Sequence, residues 1–104
     1  MNHHIPILCK EVVENLVKVP KGIYMDCTVG FGGHSQKILD RLNNKGFLIG
    51  IDIDPYALKT SNEILSSRYK NFSLYNCSYI DFPQILEKNN LSKVDGLLFD
   101  LGIS

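Results

Sequence analysis

The segment Ile23-Tyr24-Met25-Asp26-Cys27-Thr28-Val29-Gly30-Phe31-Gly32-Gly33-His34 decides the fold of this chain. Its first five residues predict a short β-strand, and the glycines that follow predict a tight turn. Such a turn lets the backbone adopt positive φ angles and lets a ligand approach it closely. Apolar side chains at helical spacing then predict a helix from about His34 to Leu42. The segment therefore predicts a strand, a candidate ligand-binding turn and a helix.

The same alternation continues through the rest of the chain. The apolar run over 47–51, closed by Asp52, is typical of a buried parallel strand. The other predicted elements are a leading helix over 8–18, strands over 72–75 and 94–100, and helices capped by Asp54 and Asp81. In the helix after Asp54, the apolar positions are Ala57, Leu58, Ile64 and Leu65.

The resulting order, βαβαβαβ after the leading helix, predicts an α/β fold with a parallel sheet and helices on its faces. In the doubly wound strand order 3-2-1-4, the direction of winding reverses between the first and fourth strands. Ligands bind such sheets in the crevice at the carboxyl ends of those strands. The glycine turn and Asp100 are therefore expected on opposite sides of one crevice.

Composition narrows the possible functions. Eleven basic and 11 acidic residues give zero formal net charge, whereas a free-standing nucleic-acid binder usually carries a basic excess. If the protein acts on RNA, most of the RNA contacts are expected outside these residues. No apolar run approaches the roughly 20 residues that span a bilayer. The cysteines Cys9, Cys27 and Cys77 are odd in number and far apart, which argues against a disulfide framework or a zinc site and favours a reducing cytoplasm. His3 and His4 have no partners at metal-ligand spacing, so no metal site is predicted.

Several residues border the predicted crevice. Asp52, 22 positions beyond Gly30, is placed to accept hydrogen bonds from the two hydroxyls of a ribose. Tyr79 follows the third strand and could stack on a purine ring, although an isolated aromatic there is more often part of the core. Asp100 ends the fourth strand, where a carboxylate needs a cation or a hydrogen-bond donor unless water reaches it.

Two of these features have simpler explanations. Asp54 could form a carboxylate pair with Asp52, but the following Pro55 makes helix capping the better interpretation. His34 could act as a base, or it could only cap or pack at the start of its helix. We assign no catalytic residue.

The turn fits one cofactor better than another. Dinucleotide-binding turns have the pattern G-x-G-x-x-G/A, whereas Gly30-Phe31-Gly32-Gly33-His34-Ser35 ends in serine and has a bulky histidine before it. Asp26 lies just before the turn, where it would repel a diphosphate. An acid is favourable beside the ammonium and sulfonium groups of S-adenosylmethionine, so charge complementarity favours this methyl donor.

Several segments resemble one family in order and spacing, the bacterial 16S rRNA (cytosine-N4)-methyltransferase H family of the MraW type. They are His4-Ile5-Pro6-Ile7-Leu8, the segment from Gly22 to Ser35, Gly50-Ile51-Asp52-Ile53-Asp54-Pro55, and the segment from Val94 to Ser104. The resemblance implies a Rossmann-like class I methyltransferase fold. It also implies methylation of N4 of a cytidine in the 16S rRNA decoding centre, in the cytoplasm.

The resemblance also implies roles for individual residues. Gly32, Gly33 and His34 would line the methionine end of S-adenosylmethionine, Asp52 would hold the ribose, and Asp100 would complete the site. Tyr79 would lie beside the adenine, at a position where the family commonly has phenylalanine.

Residues 1–104 are expected to form the N-terminal part of a larger class I methyltransferase domain. About four strands are predicted, and the outer edge of the fourth is expected to be unpaired. The family's RNA-recognition insertion and the rest of its sheet are expected to lie outside these residues. These 104 residues alone are expected to be inactive. The alternatives are a class I methyltransferase with another substrate, an inactive cofactor-binding fragment and, more remotely, a nicotinamide-dependent dehydrogenase. The sequence gives no indication of the oligomeric state.

Overall fold

A computed structural model describes residue 17, residues 20–91 and residues 94–98 of the chain. Most of the predicted leading helix over 8–18 lies outside these residues, as do His3, His4, Cys9 and Asp100. The elements are β1 (Ile23–Asp26), α1 (Gly33–Leu42), β2 (Phe47–Asp52), α2 (Pro55–Ser66), β3 (Phe72–Asn76), a 3₁₀ turn (Tyr79–Asp81), α3 (Phe82–Lys88) and β4 (Gly96–Leu98). Their order confirms the predicted alternation of strands and helices.

The four strands form one parallel sheet in the order β3-β2-β1-β4, as predicted. The register aligns the carboxyl ends of the strands. Asp26, the last residue of β1, pairs with Gly50 on one side and Leu98 on the other, and Asp52 pairs with Asn76. The segments that follow β1, β2 and β3 therefore leave the sheet at the same edge.

Both faces of the sheet are packed, because successive strand side chains point to opposite sides. On one face, Tyr24 and Leu48 pack in a cluster whose helical members are Ile38, Leu39, Leu42 and Leu65. Met25, Ile49, Ile51 and Cys27 form a second cluster with Ile85 of α3. Strands that are buried on both sides explain the continuous apolar run of β2.

The glycine within this run has a packing role. A Cβ atom at Gly50 would lie 2.6 Å from Cγ2 of Val29 and 2.7 Å from Cδ2 of Leu74. Val29 lies between β1 and Gly30, so the absence of a side chain at position 50 lets the start of the glycine turn pack directly on β2.

The helix starts follow the predictions only in part. The Asp54 carboxylate accepts hydrogen bonds from the backbone N–H groups of Tyr56 and Ala57, at 3.0 and 3.3 Å, which confirms it as the cap of α2. Asp81 occupies the cap position of α3 but makes no side-chain capping bond. Pro83, the second residue of α3, has no N–H group to donate to it. The Ser78 hydroxyl accepts a hydrogen bond from the Ile80 N–H at the preceding 3₁₀ turn instead.

Of the apolar positions in α2, Ile64 is 43% exposed, because it lies at the margin of the buried stripe, which Ser61 completes. One further prediction needs correction. β4 covers only Gly96–Leu98 within the described residues, not the whole of 94–98. Asp95 lies just before it, where its N–H donates to the Ile23 carbonyl and its carboxylate accepts from the Ile23 N–H, both at 2.7 Å. This reciprocal pair joins the amino-terminal ends of β1 and β4.

Candidate cofactor site

The glycine turn crosses from the end of β1 to the end of β2. Gly30 and Gly32 have φ angles of 56° and 92°, in the left-handed region that glycine adopts without strain. Backbone hydrogen bonds join the Val29 N–H to the Ile51 carbonyl at 3.1 Å and the Gly32 N–H to the Val29 carbonyl at 2.9 Å. The turn is therefore part of the hydrogen-bonded framework of the sheet.

Asp52 holds this turn. One of its carboxylate oxygens accepts from the Gly30 N–H at 2.6 Å, and the other accepts from the Asp54 N–H at 2.9 Å. The side chain is only partly buried. Because a carboxylate has about four lone-pair positions, these two bonds leave room for further donors such as hydroxyl groups. The structure thus brings together Asp52 and the glycine turn, as the sequence predicted.

Asp26 is completely buried beneath the turn. Its two oxygens accept hydrogen bonds from the Ser35 hydroxyl at 2.7 Å and from the Thr28 N–H at 3.1 Å. Burial raises the pKa of this carboxyl above its ordinary value, and the hydrogen bonds and the nearby His34 oppose that rise in part. Asp26 therefore joins the end of β1 to the first turn of α1, and any attraction to a cationic ligand acts through space from a buried position.

Ser61 was not identified from the sequence. It is fully buried on α2, and its hydroxyl donates to the Gly30 carbonyl at 2.5 Å. Gly30 is thus held at its N–H by Asp52 and at its carbonyl by Ser61. The helical spacing of positions 57, 58, 61 and 65 could have marked Ser61 as a buried polar residue.

Gly33 and His34 form the first turn of α1, next to this framework. Gly33 is exposed and has ordinary helical backbone. Apart from its two chain neighbours and the backbone of its own helix, no atom of the described residues lies within 4 Å of the position that its Cβ atom would occupy. Neither backbone conformation nor packing within this part of the chain requires glycine there. His34 is half-buried and lies close enough to Asp26 to lower the pKa of that carboxyl.

Tyr79 lies at the same edge of the sheet and is 54% exposed, which excludes the alternative of a core position. The segment after β3 is tied to β2, because the Cys77 N–H and the Asn76 side-chain amide both donate to the Asp52 carbonyl, at 3.1 and 3.0 Å. Ile53, which follows Asp52, is 73% exposed. Exposed apolar side chains therefore follow β2 and β3 at the edge where the candidate ligand-binding residues meet. Asp100, the remaining predicted site residue, lies outside the described residues.

The described ranges contain neither a candidate metal site nor a cysteine with a lowered pKa. Within them, no three or more His, Cys, Asp or Glu side chains are grouped to hold a metal ion. Cys27 and Cys77 are free thiols, and burial raises the pKa of Cys27 to about 11. Nor does any helix in this part of the chain have the length and apolar character to cross a bilayer.

Comparison with known proteins assigns the family. The model of the MraW methylase family matches residues 1–104. The chain belongs to the MraW methylase family. A curated relative from Mycoplasmopsis pulmonis, named ribosomal RNA small subunit methyltransferase H, is 48% identical over 104 residues. The match covers 100% of this chain and 35% of the relative, so this chain spans about a third of the length of that protein.

Solved structures share the fold of this MraW-family chain. NSun6 from Pyrococcus horikoshii superposes with a TM-score of 0.71 at 25% identity, over 91% of this chain and 23% of that protein. Fibrillarin from Aeropyrum pernix, crystallised with natively bound S-adenosyl-L-methionine, gives a TM-score of 0.68 at 17% identity, over 92% of this chain and 42% of that protein. The parallel sheet and its helices are thus a partial Rossmann-like methyltransferase fold.

Proposed function

We propose that this chain binds S-adenosylmethionine at the carboxyl edge of its sheet and serves methylation of N4 of a cytidine in 16S rRNA. The observation that carries the proposal is the joining of the glycine turn to Asp52 within a chain of the MraW methylase family. The curated relative named ribosomal RNA small subunit methyltransferase H supports rRNA as the substrate. Residues 1–104 would contribute the cofactor-binding part of the methyltransferase domain.

The residues at the edge fit the parts of this cofactor. Asp52 has accepting capacity left for the ribose hydroxyls after its two backbone hydrogen bonds. Ile53, directly after Asp52, and Tyr79, after β3, provide exposed apolar and aromatic surface at this edge for the adenine ring. Gly32, Gly33 and His34 would line the methionine end, where the open space at Gly33 allows close approach to the backbone. Asp100 would complete the site.

The same edge suits the charge of this cofactor. Burial is the main cause of the raised pKa of Asp26, and the charge of the nearby Asp52 adds to it. Two neighbouring acids favour a ligand that carries an ammonium and a sulfonium group, and they disfavour the diphosphate of a dinucleotide. This comparison is the physical argument against a nicotinamide-dependent dehydrogenase.

In methyl transfer, the cofactor supplies an activated methyl group on a sulfonium. The protein must hold the cytosine N4 atom in line with that methyl group and exclude water. The residues described here bind and orient the donor, and none is assigned as a base. Because the net charge is zero, most RNA contacts are expected outside residues 1–104. An rRNA substrate also predicts a cytoplasmic location.

The test uses the full-length gene product. Calorimetric titration with S-adenosylhomocysteine and, separately, with NAD compares the two cofactor classes, and only S-adenosylhomocysteine is expected to bind. Methyl transfer from labelled S-adenosylmethionine is then measured on small ribosomal subunits from cells that lack this modification, with modified subunits as the control. Binding without transfer to the unmodified subunits would reject the rRNA substrate and favour another methyltransferase substrate. Binding of NAD alone would reject the methyltransferase proposal.

A further inference from the structure

The hydroxyl group of Ser61 contacts the glycine turn from a helix that carries none of the predicted site residues. Ser61 lies in the middle of α2, is fully buried, and donates to the Gly30 carbonyl at 2.5 Å across 31 positions of sequence. The hydrogen bond is partly buried, so removing the hydroxyl leaves the Gly30 carbonyl without a donor on the side that faces α2. The position of Gly30 therefore depends on this hydroxyl.

The same glycine is held from the opposite direction. The Asp52 carboxylate accepts from the Gly30 N–H at 2.6 Å, so the two polar groups of one residue are each bound by a side chain. Gly30 has a φ angle of 56°, and Gly32, two positions further on, has a φ angle of 92°. A turn with two such residues has many alternative conformations, because glycine restricts the backbone least. Two side-chain contacts at Gly30 select one of them.

Ser61 also limits the space on the inner side of the turn. A Cβ atom at Gly32 would lie 3.4 Å from the Ser61 hydroxyl oxygen and 3.6 Å from its Cβ atom. The serine thus lies beneath both positive-φ glycines, whereas the Cβ position at Gly33 faces open space. The small side chain supports the turn from inside and leaves its outer side accessible.

We propose that Ser61 is a positioning residue of the cofactor site, which fixes the glycine turn in the conformation that receives S-adenosylmethionine. The inference rests on the proposed function and adds a residue of α2 to it. Ser61 does not contact the cofactor in this proposal. It acts through Gly30, by keeping the Gly30 N–H on Asp52 and the first turn of α1 in place.

The test compares Ser61→Ala, Ser61→Cys and Ser66→Ala in the full-length gene product. Ser61→Ala removes the hydroxyl, whereas Ser61→Cys replaces it with a slightly larger thiol that is only a weak donor. The two variants change side-chain volume in opposite directions, so an effect that they share follows the hydrogen bond rather than the packing. Ser66→Ala is the matched control. It lies on the same helix, is exposed, and its hydroxyl donates to the Asn62 carbonyl at 2.6 Å, away from the turn. Ile85→Val, on the other face of the sheet, controls for a general loss of stability.

Two measurements are made on each variant. Calorimetry with S-adenosylhomocysteine is expected to give about tenfold weaker binding for both Ser61 variants, which corresponds to about 1.4 kcal/mol. Both controls are expected to stay within about twofold of the unsubstituted protein, since they leave the turn intact. Hydrogen exchange of the Gly30 and Gly32 amides, followed without any ligand, is expected to accelerate in the Ser61 variants only.

The outcomes separate the two proposals. Faster exchange at the turn with weaker S-adenosylhomocysteine binding supports the role of Ser61. Unchanged exchange and unchanged affinity in Ser61→Cys would overturn it, even if Ser61→Ala fails to fold. An affinity loss equal to that of Ile85→Val would also overturn it, because the effect would then follow stability alone. If the unsubstituted protein does not bind S-adenosylhomocysteine, the proposed function fails, and the cofactor role of Ser61 fails with it.

Discussion

Gly33→Ala is expected to separate the structural and the ligand-binding roles of the glycine turn. Gly33 is the first residue of α1, and the φ angle that makes glycine necessary occurs at Gly30 and Gly32 instead. Beyond its chain neighbours and the backbone of its own helix, no atom of the described residues lies within 4 Å of the Cβ position at Gly33. The added methyl group therefore meets open space in the folded chain, and a ligand that approaches the turn closely would meet the methyl group.

The two effects have opposite signs. Replacing glycine by alanine at a position with helical backbone stabilises a protein by about 0.4–1 kcal/mol, since alanine restricts the unfolded chain. Forcing one extra methyl group into a well-packed contact costs about 1–3 kcal/mol. If the cofactor packs on Gly33, this cost raises the Kd for S-adenosylhomocysteine by about five- to 150-fold. We therefore expect a variant that is more stable and binds more weakly.

The assay combines urea unfolding with calorimetric titration of S-adenosylhomocysteine, both on the full-length gene product. Gly32→Ala is the comparison variant, because its φ angle of 92° makes any side chain strained and predicts loss of both stability and binding. Gly33→Ala with unchanged affinity would refute the placement of the cofactor against Gly33. Gly33→Ala with reduced stability would refute the conclusion that the fold leaves this position open.

Three further expectations concern other residues. Because burial raises the pKa of Asp26 above its ordinary value of 3.8, the folded protein binds that proton more tightly than the unfolded chain, and stability falls as pH rises through the interval between the two pKa values. The melting temperature of Asp26→Asn, minus that of the unsubstituted protein, should therefore increase from acid to neutral pH. A difference that stays flat or falls contradicts this expectation. Asp54→Asn, at the exposed cap of α2, is the control. Gly50→Ala should lower the free energy of unfolding by about 1–3 kcal/mol, since its Cβ atom would lie 2.6 Å from Val29; urea unfolding that shows no loss would mean that Val29 and Leu74 move aside freely. Tyr79→Ala should weaken S-adenosylhomocysteine binding by about 1–3 kcal/mol while Tyr79→Phe keeps it; equal affinities for the two variants would place the adenine elsewhere.

The parallel sheet was predictable because it depends on patterns that are local in sequence. The apolar run of β2 indicated a strand buried on both faces, and the alternation with helices required parallel crossovers. The order came from the doubly wound arrangement that such alternation favours, and the structure has that order, with Asp52 and the glycine turn at a common edge. The boundary of β4 was predicted wrongly, because a side chain makes hydrogen bonds there in place of the regular strand pairing. Asp95 bonds both polar backbone groups of Ile23, so β4 starts later than its apolar run predicted.

The contacts within the site were less predictable, because they join residues that no periodicity relates. The hydrogen bond from Ser35 to Asp26 spans 9 positions, and that from Ser61 to Gly30 spans 31. Each depends on how closely a helix packs on the sheet. The sequence indicated that Asp26 is an acid beside the turn, but only its burial reveals that its oxygens are used within the fold. Exposure of Tyr79 likewise depends on the 3₁₀ turn that it begins.

The internal hydrogen bonds of Asp52 affect how the site should be tested. Asp52 holds Gly30 and Asp54 through bonds within the fold, and we propose that it also holds the ribose. A turn that is already ordered loses little conformational entropy on binding, so these bonds contribute to affinity before any ligand contact is made. Replacing Asp52 would remove the turn's support and the ligand contact together, and its effect could not be divided between them. Substitutions at Gly33 and Ser61 separate the two effects. Gly33→Ala preserves the internal support of the turn and changes the contact with the ligand, whereas Ser61→Cys weakens that support and leaves the side chains that contact the ligand unchanged.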